Sequence, residues 1–494
     1  MTDRTQQVPL KTKIAFASGA LEEGLIGAAG VATMLFYNQV LGVSAYLCGI
    51  VFLVASIIDA ISDPLIGSLS DNFRSRWGRR HPFMLAALLP LCAGFYLMYA
   101  PPADMSETFY FWWFMATMAI LRIGRTFYVV PHDALGAEMS DDYHERTSIF
   151  GLNSVVGMLG SVLLGVLLLT VLFPEVEEYE SGLLNPSGYP VMASMGAAFL
   201  CIVLLVCIAG TRDQIPKLHN VDRQRVRLRD NWGDLMTLFK SRSYRSVCIA
   251  WLVMLVSGGI LGVVGTYTFI YGFDLTTDEI AIQRIITVPG MLIALPLAAW
   301  FTKWLDKKRT VIYTCIICGT LVGLPHTLKI FGFFPANESF WMLPSLFGCL
   351  FLGYLVLPVV PIVIDSQLAD VADELEYNTG RRSEGLVFSI RTFALKATAG
   401  IGGLVGGFGL EFIGFPENAT KEMLTTEMLN GLFFMCGPLY WMIVAAGMAF
   451  MGMYALDEKS HANMMAEIKT RRSAAIDLAG PKMAGVEAAP SQSG

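Results

Sequence analysis

Long apolar runs separated by short polar loops fill the chain from residue 14 to residue 454. A helix needs about 20 mostly apolar residues to cross the hydrocarbon core of a bilayer. Because a spanning segment must satisfy its backbone polar groups internally, each run is predicted to be a helix. The pattern therefore predicts an all-α membrane protein with twelve transmembrane helices, at 14–41, 46–70, 82–101, 107–131, 148–173, 189–210, 246–272, 278–301, 310–331, 341–367, 386–413 and 430–454.

One sizeable polar interruption, at residues 211–245, divides these runs into six and six. This division is typical of transporters built from two parallel repeats. We therefore predict an N-terminal six-helix bundle at 1–210, a central cytoplasmic loop at 211–245 and a C-terminal six-helix bundle at 246–455. The tail at 456–494 is polar and rich in Ala, Pro and Ser at its end, so it is predicted to be a disordered cytoplasmic segment.

Basic residues occur in alternate loops. The loops on one side are nearly free of Lys and Arg, with Lys421 as the visible exception. Cytoplasmic loops of membrane proteins carry an excess of Lys and Arg. The distribution therefore predicts a multi-pass protein of a bacterial-type inner membrane with both termini in the cytoplasm. The basic clusters that indicate this side lie at 11–13, 74–80, 212–229, 307–309 and 381–382.

Composition narrows the function. Hydrophobic residues make up 54% of the 494 residues and charged residues 15%, and the net charge is -6; soluble domains carry about 25% charged residues. All nine cysteines lie in apolar runs, where they are expected to be small buried hydrophobic residues. There is no nucleophile–base spacing, metal-ligand cluster or glycine-rich phosphate loop. We predict a monomer that is not an enzyme, with no cofactor and no nucleic-acid partner, in contact with lipid and a small solute.

Asp59 and Asp63 are the strongest functional signal within a span. Four residues apart, they share one helix face with about 6 Å between their side-chain bases. Two ionised carboxylates at that distance repel by about 3 kcal/mol at an effective dielectric constant of 20. A bound cation, a shared proton or a buried base must relieve this repulsion. Oxygen ligands suit Na⁺ or H⁺, and Ser62 adds a hydroxyl. Lys396 is the expected counter-charge and coupling residue; the alternative is a static salt bridge that holds the helices together.

Arg122 and Arg125 form a second charged pair near mid-span, one helical turn apart. Two arginines in a cavity are suited to binding a carboxylate, sulfonate or phosphate. They are equally suited to pairing with Glu22 and Glu23 of the first span or with the aspartates, and the sequence leaves both interpretations open. Glu22 and Glu23 differ by about 100° around a helix, so at most one faces the cavity centre. Arg391 is suited to the same task as the arginine pair.

The segment GSLSDNFRSRWGRR, at residues 67–80, ends a span at the predicted cytoplasmic side. Asp71 can accept hydrogen bonds from a following arginine and from helix N-terminal amides across the protein. Such contacts would hold this side closed, whereas a plain solvated basic loop would need only the arginines. The predicted cytoplasmic gate consists of Gly67, Asp71, Arg76, Arg79, Arg382 and Glu384.

Three separated segments resemble a known family. They are IIDAISDPLIGSLSDNFRSRWGRRHPF, VPHDALGAEMSDDYHERTS and DSQLADVADELEYNTGRRSEGLVFSIRTFALKATAG. Together they are similar to the signatures of the glycoside–pentoside–hexuronide:cation symporters, the melibiose-permease-like family of the major facilitator superfamily. The resemblance follows the same order along essentially the whole span region. It implies the major facilitator fold, in which two six-helix bundles move by alternating access.

The resemblance also implies site residues. Its cation site, on the second and fourth helices, falls on Asp59, Asp63, Ser62 and Thr126, with Lys396 close by. The family's sugar-binding carboxylates fall on Gly24 and Val129, so its galactoside recognition does not transfer. The residues expected to contact the solute are instead Glu22, Glu23, Arg122, Arg125, Tyr128, Asp133 and Arg391.

These features predict a secondary symporter, coupled to Na⁺ or H⁺, for a glycoside, a sugar or a related small molecule. The arginines indicate an anionic solute such as a uronide or another acid. The alternatives are a major facilitator carrier of an amphipathic or organic-acid solute, and an efflux carrier.

Overall fold

The computed structural model describes residues 8–140, 142–217, 238–379 and 384–479, and within these ranges the protein is helical with no strand. The N-terminal half holds seven helices. They are α1 (Leu10–Ser18), α2 (Leu21–Leu35), α3 (Ala45–Asn72), α4 (His81–Tyr99), α5 (Glu107–Glu138), α6 (Tyr143–Leu167) and α7 (Gly188–Gly210).

The C-terminal half holds the remaining long helices. They are α8 (Arg242–Tyr267), α9 (Thr277–Ile285), α10 (Val288–Ile330), α11 (Met342–Val356), α12 (Val359–Thr379), α13 (Glu384–Phe412), α14 (Thr426–Phe434), α15 (Tyr440–Gly452) and α16 (Glu458–Ala479). Each half packs mainly against itself, and the two halves meet where α3 lies on α13, α6 on α9 and α2 on α8.

Every predicted span is helical, although several boundaries differ. Within the described residues, nine helical runs are long and apolar enough to cross a membrane. One of them, residues 277–330, contains two predicted spans and is interrupted at Asp306, where a φ of 67° is not helical. The spans predicted at 107–131 and 386–413 correspond to α5 and α13. The first predicted span is divided into α1 and α2 at residues 19–20.

The tail differs from its prediction of disorder, because residues 458–479 form α16. A capping side chain explains where the helix begins: the Asp457 carboxylate accepts a hydrogen bond from the Ser460 backbone N–H at 2.7 Å. Met464 and Ile468 are buried, and the Tyr377 hydroxyl of α12 donates to Glu467 at 2.9 Å. Two apolar residues one turn apart thus fix a helix that composition alone did not indicate.

Close contact between α3 and α13 depends on glycine. A Cβ atom on Gly49 would lie 2.9 Å from the Leu404 Cα, and one on Gly407 would overlap the backbone carbonyl of Ala45. Small residues let the backbones of membrane helices approach closely. The glycine-rich segment of α13 therefore packs directly against the N-terminal half.

Polar contacts join the two halves at one end, which we name the closed end and define by residues 36–44, 175–181, 267–277 and 411–421. The buried Gln39 amide donates to the Pro416 carbonyl at 2.9 Å and accepts from the Ala419 N–H at 2.9 Å. The Tyr271 hydroxyl also donates to the Gln39 carbonyl oxygen, at 3.1 Å. A single side chain from the first half thus satisfies three groups of the second.

Charged groups extend the closed end. Lys421 lies 3.0 Å from both Glu180 and Asp274, so it joins the two halves. Partial burial lowers the pKa of the Lys421 ammonium, but hydrogen bonds to Asp274 and Glu180 outweigh this effect and the pKa is raised. The ion pairs are therefore present throughout the neutral pH range.

We expect Gln39→Leu to weaken the closed end strongly, because the Ala419 N–H and the Pro416 carbonyl lose their partner and the Tyr271 hydroxyl keeps only the Ala419 carbonyl oxygen, at 3.5 Å. A buried polar group without a hydrogen bond costs about 1–3 kcal/mol. Thermal unfolding in detergent should show a clear loss of stability. Tyr271→Phe removes one donor and leaves Gln39 in place, so its loss should be smaller; equal effects of the two substitutions would contradict the assignment.

Candidate functional site

A cavity of about 690 Å³ lies between the halves, with α2, α3 and α5 on one side and α8 and α13 on the other. Its α5 wall follows helical spacing, because residues 122, 126, 129 and 133 lie on one face. Eight of the residues predicted for the cation and solute sites line it: Glu23, Asp59, Asp63, Arg122, Arg125, Thr126, Asp133 and Lys396.

Asp59 is buried and pairs with an arginine. The Arg122 guanidinium donates to the Asp59 carboxylate at 2.9 Å, from α5 to α3. An ionised residue at the centre of a membrane helix costs about 2.5–3.5 kcal/mol on the insertion scale. Pairing two of them offsets much of that cost. Of the two interpretations of Arg122, the structure shows internal pairing.

Asp63 lies at the centre of a cluster of hydroxyls and a lysine. The Thr126 hydroxyl donates to the Asp63 carboxylate at 3.0 Å, and the Ser62 hydroxyl lies 2.9 Å from that of Thr126. The Lys396 ammonium is paired with Asp63 from α13. The Lys396 backbone carbonyl also accepts from the Ser56 hydroxyl at 2.9 Å. All four predicted cation ligands and the predicted counter-charge therefore lie in one region, across the contact of the two halves.

Arg125 binds both acidic residues of the first span. Its guanidinium lies 3.2 Å from Glu22 and 3.0 Å from Glu23. The Glu22 side chain is 1% exposed and the Glu23 side chain 76% exposed. This difference follows from the angle of about 100° between neighbouring helical residues. Glu23 is thus the member of the pair that reaches the cavity.

The cavity is accessible from the end opposite to the closed end. Asp133 lies two turns beyond Thr126 along α5, and its side chain is 61% exposed. In contrast, the Gln39, Asn38 and Tyr267 side chains at the closed end are buried and hydrogen-bonded. The structure is therefore closed on one side of the charged cluster and open on the other.

Comparison with known proteins gives the family. The family model described as "MFS/sugar transport protein" matches residues 15–458. The chain belongs to this family. It is a membrane-spanning transporter of the major facilitator superfamily and not an enzyme, and its resemblance to the glycoside–pentoside–hexuronide:cation symporters is confirmed.

Relatives and solved structures agree with the family. The isoprimeverose transporter of Lactiplantibacillus pentosus is 24% identical and the alignment covers 81% of this chain and 78% of that protein. The glucuronide carrier protein homolog of Escherichia coli is 24% identical over 94% of this chain and 97% of that protein. A bacterial homolog of the human lysosomal transporter Spinster, solved in an inward-facing and unoccupied conformation, has a TM-score of 0.62 at 13% identity and covers 92% of this chain and 97% of that one. The last comparison confirms the predicted all-α fold of the major facilitator type.

Tyr128 and Arg391, both predicted to contact the solute, are not found in the cavity wall: Tyr128 lies elsewhere, and the Arg391 side chain is outside the described part of the structure. Tyr128 is 1% exposed and its ring lies on that of His132, with centroids 5.3 Å apart. It lies about 120° around α5 from the centre of the cavity face, because it is six residues after Arg122. Tyr128 therefore supports α5 from behind the cavity wall. The side chain of Arg391 is not among those described.

Two residues of the predicted gate, Asp71 and Arg79, form ion pairs within the N-terminal half, with partners outside the prediction. Arg80 pairs with Asp71 at 2.6 Å and with Glu138 at 2.7 Å, and Arg79 pairs with Glu138 at 2.8 Å. The arginine that binds Asp71 is thus Arg80. The side chain of Arg76, which was predicted for the gate, is exposed.

The remaining gate residues differ in how far the structure describes them. Gly67 lies on α3 close to Val130 of α5. Arg382 lies outside the described residues, as does the Glu384 side chain. The prediction missed Glu138, which ends α5 and binds both arginines; extending α5 by two turns beyond residue 131 would have placed it there.

Proposed function

We propose that the protein is a symporter that couples transport of a sugar or glycoside to Na⁺ or H⁺ by alternating access. The observation that carries the proposal is the pair of carboxylates in the central cavity, each neutralised by a base from a different helix: Asp59 by Arg122 and Asp63 by Lys396. Membership in the sugar-transport family supports the solute class.

Lys396 gives the pair a means of coupling. It belongs to α13, whereas Asp63 belongs to α3, so this ion pair crosses between the halves. A cation bound by Asp63, with the Ser62 and Thr126 hydroxyls as further oxygen ligands, would replace the Lys396 ammonium as counter-charge. Both partners cannot occupy the carboxylate at once, so cation binding would release α13 from α3. Occupancy of the site would thereby bias the conformation of the two halves.

The positive-inside pattern orients this mechanism. The Lys- and Arg-rich segments among the described residues, at 11–13, 74–80 and 307–309, lie at the end opposite to the closed end. We therefore propose that the closed end faces away from the cytoplasm, that both termini lie in the cytoplasm and that the membrane is the inner membrane. In this orientation the structure is the inward-open state.

The walls of the cavity favour a hydrophilic solute over an amphipathic one. Glu23, Arg125 and Asp133 reach the same space as the aspartates. A cavity lined only by Met, Phe and Leu would favour an amphipathic solute or a lipid-like one, as in the alternative of an efflux carrier. Convergent polar groups instead fit the hydroxyls of a sugar.

Mutual enhancement of binding tests the proposal. Two ligands whose sites are coupled change each other's affinity by the same factor, typically 5–150-fold. We expect either Na⁺ at constant pH, or a pH drop at constant Na⁺, to lower the Kd of the bound sugar by a factor in this range. Calorimetry on the purified protein with a panel of glycosides, uronides and organic acids, with and without Na⁺, measures it.

Reciprocity supplies the internal control for that experiment, because the sugar must raise the affinity for the coupled cation, Na⁺ or H⁺, by the same factor. Sugar binding that is independent of both Na⁺ and pH would contradict the coupling. Binding of organic acids without any sugar would contradict the solute class.

A further inference from the structure

A second cavity, of about 750 Å³, lies in the C-terminal half beside the charged one. The two share Gly27, Gly30 and Val31 of α2, together with Gly262 and Leu395. They are therefore neighbouring chambers of one central space. Most of the wall of this second chamber is apolar, with residues such as Leu261, Val322 and Leu350.

Arg284 is the basic residue in this wall. It lies on α9, seven residues after Thr277 at the closed end, which places it about 10 Å deeper into the protein. Among the described residues no carboxylate lies within ion-pair distance of its guanidinium. The ionisable group that acts on it is the Tyr354 hydroxyl, and that hydroxyl already accepts a hydrogen bond from Gln283 at 3.1 Å.

The other cavity cations differ from Arg284 in this respect. Arg122 and Arg125 are bound to acidic side chains and Lys396 is bound to Asp63. An anion that approached them would have to displace a carboxylate of the protein. Arg284 presents its donors in a chamber where an anion meets no such competitor. A guanidinium without a carboxylate partner is costly at membrane depth, so a ligand that supplies a carboxylate gains binding energy there.

Two other residues of the same wall carry polar atoms without a partner in the described part of the chain. They are Trp251 Nε1 and His326 Nε2, both buried. The His326 Nδ1 lies 3.1 Å from the Val322 carbonyl oxygen, which can only accept, so Nδ1 carries the proton. In a neutral ring Nε2 is then an acceptor. Both atoms have almost no accessible surface, so the case for an acid group in this chamber rests on the Arg284 guanidinium.

We infer that Arg284 binds the carboxylate of a sugar acid, and that the second chamber is the acid-recognition part of the solute site. This inference rests on the proposed transport of a sugar. The fork of the guanidinium matches a carboxylate with two parallel hydrogen bonds. In this arrangement the hydroxyls of the sugar face the charged chamber across the glycines of α2. Arg122 and Arg125 keep their internal partners while the solute is bound.

Matched pairs of ligands test the assignment on purified full-length protein. The probes are methyl β-D-glucuronide and D-galacturonate, each compared with its uncharged parent, methyl β-D-glucoside or D-galactose. We expect the wild-type protein to prefer the acids. Arg284→Gln should weaken acid binding by about 10- to 100-fold, as expected for a lost charge-assisted pair, and should leave binding of the uncharged sugars unchanged. Arg284→Lys should give an intermediate loss, because it keeps the charge without the fork.

Arg242→Gln is the matched control, because Arg242 is exposed at the start of α8, far from both chambers. It should leave every Kd unchanged. The measurement uses no ion gradient, so a failure of coupling would not alter it. Equal weakening of acids and uncharged sugars by Arg284→Gln, or no weakening at all, would overturn the assignment. A wild-type protein that binds the acids no more tightly than their parents, or binds none of them, would overturn it as well.

Discussion

Replacing Asp63 with asparagine should abolish cation-driven accumulation of the solute in vesicles while downhill exchange continues. The substitution keeps the shape of the side chain and removes the charge that holds Lys396. Without that charge, the bound cation and the Lys396 ammonium can no longer replace each other at residue 63. The ion gradient is then no longer linked to movement of α13. Asp59→Asn should have the same effect, since Asp59 completes the carboxylate pair beside Arg122. Uptake into proteoliposomes with and without an imposed Na⁺ or H⁺ gradient measures both.

A loss of folding must be distinguished from a loss of coupling. Each single substitution leaves a cation without its partner inside the membrane, which is destabilising. The paired variants Asp63→Asn with Lys396→Met and Asp59→Asn with Arg122→Gln remove both charges, and they should restore thermal stability without restoring accumulation. Asp104→Asn, in a loop outside the spans, should leave accumulation intact. Gradient-driven accumulation in both single variants would show that the aspartates do not couple transport.

Replacing Gly407 with leucine should prevent the closed end from closing. Its side chain would enter the contact of α13 with the Ala45 backbone, where a single Cβ already overlaps. Overpacking of a tight contact typically costs about 1–3 kcal/mol, and the strain is relieved when the two halves separate at this end. Transport should fall strongly, because one of the two alternating states is lost.

The thiol of Cys48 reports on this separation. It lies on α3 next to Gly49 and is fully buried in the closed state. Gly407→Leu should therefore increase the rate at which a water-soluble maleimide labels Cys48, measured by mass spectrometry of its peptide. Gly348→Leu is the control, since no atom lies within 4 Å of the position of its Cβ. Normal transport together with an unchanged labelling rate would refute this role of the glycine contact.

Helical periodicity accounts for much of what the sequence predicted. Apolar length gave the twelve spans, and spacing by four placed Asp59 and Asp63 on one face. Which acidic residue each cation binds could not be predicted from the sequence. Several pairings of two arginines and one lysine with four acidic residues are compatible with the helical spacing. Only the relative position of α2, α3, α5 and α13 decides that Arg122 binds Asp59 and Arg125 binds Glu22 and Glu23.

Other residues gave no local signal. Gln39 and its partners lie about 230 and 380 residues apart in the chain, so no window of sequence contains their network. Arg284 lies within the span predicted at 278–301, but it follows two acidic residues and resembles an ordinary helix-end charge. That no carboxylate of the described residues binds it is visible only once α9 is packed against α6. The helix at residues 458–479 was missed because its two buried apolar residues are isolated within a polar tail.

The glycines of α2 between the two chambers have a consequence for how transporters of this kind diversify. No atom lies within 4 Å of the position that a Cβ on Gly30 would occupy. A larger residue can therefore be accepted there without disturbing the packing of the helix, and its side chain would stand in the space that both chambers share. A single substitution at this position can thus shorten the solute that fits, while the ion-binding groups on α3 and α5 stay as they are.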